Sequence, residues 1–183
     1  MRAAALVILL LVSASELTAQ DPRLEGRLSA AGGQAVAAIL DTARAESLPS
    51  DQLVLKTLEG LSKGAAEPRI IAVVHGLMIN LRDARTTLGV RASEAELGAA
   101  AAALRAGVRP DALKRLQASR PEGSLLVPLG VLSDLVAGGV PAETAESRVL
   151  ELAREGGSDA DFVTLRENLP AAPLPAGNPS GVP

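Results

Sequence analysis

Phe162 is the only aromatic residue in this 183-residue chain, and cysteine is absent. The apolar share, 48%, is ordinary for a globular protein, so a core of normal size must be packed from Ala, Leu, Val and Ile side chains. Such a core offers no ring faces on which bases or sugars could stack and no cage for a cation. Single-stranded nucleic acid and carbohydrate platforms are thereby disfavoured. The missing thiols exclude disulfides, thiolate metal sites and a lipid-modified cysteine.

The aliphatic residues recur at helical spacing between glycine and proline breaks, and no convincing strand pattern appears. Val36, Ile39, Leu40 and Ala43 predict a first helix over about 33–46. Leu53, Leu55, Leu58 and Leu61 predict a second, opened at Pro49 or Ser50 and closed at Gly64. The third runs from Pro68 through Ile70, Val74, Leu77, Met78 and Leu81 to Gly89, and is the expected centre of the fold. Ser93 with Glu96 forms a capping box for a fourth helix ending at Gly107. Its alanine run, 99–103, allows a neighbour to approach closely. Pro110-Asp111 starts a fifth helix, and the turn Arg120-Pro121-Glu122-Gly123 leads to a sixth with Pro128 in its first turn. Pro141 opens a seventh, closed by Gly156-Gly157. Ser158-Asp159 caps an eighth carrying Phe162, Leu165 and Leu169.

Three junctions resemble one another: Arg44 to Asp51, Arg105 to Asp111, and Ala137 to Pro141. Pro110 and Pro141 lie at a separation used by helical-hairpin repeats, but the midpoint between Pro49 and Pro110 falls inside the third helix. The expected fold is therefore all-α, seven or eight short helices in irregular stacked hairpins, either solenoid-like or an irregular bundle. The tetratricopeptide pattern does not fit, because it needs aromatic positions that this chain lacks.

Arg2, the apolar run Ala3 to Val12 and a polar stretch ending at Ala19 have the layout of a secretory signal peptide. The run is about half the roughly 20 residues of a membrane span, so cleavage is expected near Ala19, with Ser15 as the alternative, and no retained span. The domain reading is then a signal peptide at 1–19, a flexible lead at 20–32, one helical domain at 33–169 and a disordered proline-rich tail at 170–183. Export without cysteine suits a bacterial periplasm, and 15 arginines against 3 lysines suit a GC-rich genome.

Net charge is −3 and no block of like charges occurs, so no polyanionic partner is indicated. His75 is the only histidine, and its helical position lies near the boundary of the apolar stripe. A hydrolase built around it would need a convergent serine or carboxylate from another helix. Glu59 to Gly64 lacks the Lys-Ser/Thr pair of a phosphate loop, and Glu59 and Lys63 read as a helix-supporting pair. Glu94, Glu96, Asp159 and Asp161 stand at helix starts, where negative charge is favoured. No catalytic, metal or cofactor site is expected. Arg82, Arg85 and Arg91, at the end of the third helix, form the one candidate surface for an anion or partner. The leading expectation is a non-enzymatic module binding a protein or peptide. A carrier of small apolar ligands or lipid is the alternative, and a cryptic hydrolase comes third.

Overall fold

The computed structural model describes residues 21–169; the signal peptide and the proline-rich tail read from the sequence lie outside them. Eight helices follow a short 3-10 turn, Pro22–Leu24: α1 Ala30–Ala45, α2 Ser50–Ser62, α3 Glu67–Leu88, α4 Glu94–Ala106, α5 Pro110–Ser119, α6 Leu126–Ala137, α7 Ala142–Arg154 and α8 Asp159–Asn168. The fold is all-α, and no strand occurs among the described residues.

The helices stack in two layers. In one, α1 packs on α3, α3 on α5 and α5 on α7; in the other, α4 packs on α6 and α6 on α8. α2 joins the second layer through Gln52, whose side-chain amide donates to the carbonyl of Glu94 at 3.0 Å. α3 touches α1, α2, α4 and α5, which makes it the hub of the first half; α6 has the same position in the second half, against α4, α7 and α8. Ala100, Ala101 and Ala103 are buried on α4, and their short side chains let it fit between α3 and α6.

The junctions that look alike in sequence share one geometry. At the ends of α1, α2, α4, α6 and α7, one residue turns left-handed: Ser47, Gly64, Gly107, Gly139 and Gly156. The next N–H then reaches back to the helix, Leu48 to Ala43 O (2.8 Å), Ala65 to Gly60 O (3.0 Å), Val108 to Ala103 O (3.1 Å), Val140 to Leu135 O (2.9 Å) and Gly157 to Leu152 O (2.9 Å). This is the Schellman closure, and Leu48, Val108 and Val140 provide the buried apolar contact that accompanies it. Ser47 is the only non-glycine residue with positive φ among the described residues.

The stretch read as a flexible lead is ordered in the structure from residue 21. Asp21 caps the 3-10 turn, Leu24 is buried, and α1 begins at Ala30 under the Ser29 cap. Gly32, which that reading put in the lead, and Gly33, which it put at the helix start, both lie inside the first turn of α1. The Glu67 carboxylate from α3 lies so close over Gly32 that a Cβ there would collide with it, so glycine fits at this position while the Ser29 cap starts the helix.

Gly107→Ala, which puts a Cβ on a left-handed residue, should lower stability by about 1 kcal/mol, roughly 2–4 °C in Tm. Gly130→Ala, inside α6 with nothing within 4 Å of the added Cβ, should raise it by about 0.5–1 kcal/mol. Thermal unfolding followed by circular dichroism checks both signs.

Candidate functional site

Three buried or half-buried glutamates each hold the first turn of a neighbouring helix. Glu67, at the start of α3, accepts from the Ser29 N–H (2.7 Å) and hydroxyl (2.6 Å) at the start of α1. Glu146 of α7 is 2% exposed and accepts from the Arg109 N–H (2.9 Å) at the start of α5, and from its guanidinium (2.6 and 3.0 Å). Glu96 serves two helices at once. One oxygen closes the Ser93 capping box of α4 (N–H at 3.0 Å, hydroxyl at 2.9 Å); the other accepts from Leu125 N–H (2.8 Å) at the start of α6. Each carboxylate satisfies N–H groups that a helix start leaves without a partner and lies at the positive end of its dipole.

The same economy applies to two of the three arginines expected to form a surface. Arg82 makes a two-pronged pair with Glu46 at the end of α1, both bonds at 2.6 Å. Arg85 donates to the Ser47 carbonyl (2.7 Å) and to the Val90 carbonyl (3.2 Å), strapping the α1–α2 turn to the α3–α4 turn. Arg91 alone points elsewhere, into an open cleft of about 410 Å³ between the α3–α4 and α5–α6 junctions. Of the three, Arg82 and Arg85 are thus committed to bonds within the fold, and Arg91 lines the open cleft.

The cleft is lined by Arg91, Glu96, Gln117, Arg120, Glu122 and Ser124, among others. Gln117 is anchored to the Leu88 carbonyl (2.9 Å). Arg120 is anchored to the Gly157 carbonyl (2.6 Å) and to Asp159 (3.1 Å), and its guanidinium lies 5.2 Å from the centroid of the buried Phe162 ring. Arg91 and Glu122 form no ion pair among the described residues. The wall thus presents a cation and an anion without ion-pair partners among the described residues, together with the Gln117 amide and the Ser124 hydroxyl, which accepts from the Leu126 N–H (3.2 Å). The sequence reading placed Arg120 to Gly123 only in a turn. The partners that make it a cleft wall lie 29 to 39 residues away along the chain, beyond what local spacing can reveal.

Five glutamates have carboxyls held below their ordinary value. Burial pushes Glu96 up, but the bonds from Leu125 and Ser93 outweigh it and keep the carboxyl below its ordinary 4.5; burial likewise raises Glu146, and Arg109 overrides it. The Ser29 hydroxyl lowers Glu67, and the Arg82 bonds lower Glu46. Lys56 and Lys63 bring Glu59 down to about 2, with the Glu59–Lys63 pair formed as its spacing predicts. Asp161 completes the capping box of α8 with Ser158, while Asp159 pairs with Arg120.

His75 lies on the exposed side of α3. Among the described residues no group of three or more His, Asp or Glu side chains is placed to hold a metal ion, and no helix is long and apolar enough to cross a membrane. The apolar recess between Leu24, Leu28, Ala37 and Leu40 has about 10 Å³, room for one water rather than a lipid chain. The chain matches no protein-family model, no curated protein and no solved structure.

Removing the doubly used carboxylate should cost two helix starts at once: Glu96→Ala is expected to destabilise by about 2 kcal/mol, near 1 per cap. Because the folded-state values of Glu46, Glu59, Glu67, Glu96 and Glu146 lie below the unfolded ones, their contribution is complete above pH 4.5 and is lost as pH falls through the folded values. Chemical denaturation from pH 7 to acid should show a plateau and then a decline, shallower in Glu96→Ala than in the parent.

Proposed function

We propose that this is an exported, non-enzymatic helical scaffold that binds an extended segment of another protein or a peptide in the Arg91–Glu122 cleft. The observation that carries this reading is the pairing of two uncommitted opposite charges on a wall whose other polar groups are fixed by helix-end bonds. A preformed polar wall lowers the ordering cost of capturing a flexible chain. Arg91 would pair a carboxylate of the segment and Glu122 a cation, while Ser124 could bond its backbone. Stacked hairpins are suited to this use, since they present the ends of several helices along one surface. Export is supported by the residue pattern over 1–19.

A photoreactive side chain at Pro121, on the exposed rim of the cleft, tests the proposal in cells of the native host. A discrete crosslinked product that Arg91→Glu reduces about tenfold is the expected result. Absence of a product, or one indifferent to both Arg91→Glu and Glu122→Arg, overturns it. The intact mass of the purified protein should correspond to a chain starting at Gln20.

A further inference from the structure

The outer face of α3 is self-complementary about Gly76, and from this we infer that two copies of the chain pair through it, antiparallel, around a two-fold axis. From Ile70 to Leu81 the helix contains no Asp, Glu, Lys or Arg. Its buried residues, Ile70, Val74, Met78, Leu81, Ala84 and Leu88, face α1, α2, α4 and α5. The side turned away from them includes Ala72, Val73 and Ile79. Val73 and Ile79, 48% and 39% exposed, are two of the five large apolar side chains left open to solvent among the described residues.

The charges that end this face are opposite in sign and evenly placed. Arg69 lies seven positions before Gly76 and Asp83 seven after it, and both are exposed. Neither forms an ion pair among the described residues. At about 100° per residue, Arg69, Ala72, Val73, Gly76, Ile79, Asn80 and Asp83 fall within an arc of about 120°, and Arg69 and Asp83 stand about 21 Å apart along the axis. Antiparallel packing of two such helices centred on Gly76 puts each Arg69 opposite the Asp83 of the other copy. It also seats Ile79 on Ala72 and Val73 against Asn80. Two ion pairs therefore form by symmetry, as an isologous contact requires.

Gly76 sets the distance. An added Cβ there meets nothing within 4 Å in the single chain, so the missing side chain leaves space that a second helix can enter. One helix from each copy makes a small interface, below about 1,200 Å² in total, so the dimer is a weak one with a micromolar to millimolar constant. It is independent of the Arg91–Glu122 cleft, which is built from the α3–α4 and α5–α6 junctions.

Sedimentation equilibrium across the micromolar to millimolar range tests the pairing. Arg69→Asp and Asp83→Arg should each weaken the dimer about tenfold by setting like charges against each other, and the doubly swapped chain should regain the parental constant. Gly76→Leu should abolish the dimer while circular dichroism stays helical, because the new side chain has open space in the monomer. A chain that stays monomeric at millimolar concentration overturns the inference. So does a dimer whose constant ignores Gly76→Leu and the charge swaps.

Discussion

A carboxylate placed at the start of a helix other than its own is the contact on which this stack depends. Packing of Ala, Leu and Val alone would leave the helices free to slide, since aliphatic surfaces of similar size fit one another in many registers. Glu67, Glu96 and Glu146 remove that freedom. Each must meet specific N–H groups to avoid an unsatisfied charge, so the register between α1 and α3, α4 and α6, and α5 and α7 is fixed by hydrogen bonds. Glu96 does most, because a single side chain fixes where α4 begins and where α6 begins relative to it.

Arginine complements this at the other ends of the helices. Arg85 and Arg120 donate to carbonyls at Schellman turns, those of Ser47 and Gly157, using the several N–H groups of one guanidinium to tie neighbouring turns together. The preference for arginine over lysine, which reads in composition as a trait of the genome, has a structural use here. A lysine would supply a point charge without the planar spread that reaches both Ser47 and Val90.

The elements were legible in the sequence because their signals are local. Helix spacing, the Ser93–Glu96 box and the glycine and proline breaks each act within a few residues, and they located all eight helices, most ends to within one or two positions. The recurring junction was legible too, since Leu48, Val108 and Val140 follow left-handed residues. Partner choice was not. Arg82 meets Glu46 and Arg85 meets Ser47 across more than thirty residues, and nothing in the spacing of a helix end shows which distant carbonyl will stand there. The α1 start was placed about three residues late for the same reason: the Ser29 cap is held by Glu67, which lies 38 residues away along the chain.

Each helix finds its principal contacts one or two places away in the chain order. Such a protein behaves as a line of coupled pairs. Force applied between its two ends is borne by each junction in series, and it is released hairpin by hairpin from the less anchored end while the remaining pairs keep their packing. A tethered copy would therefore lengthen in steps, each the length of one released hairpin.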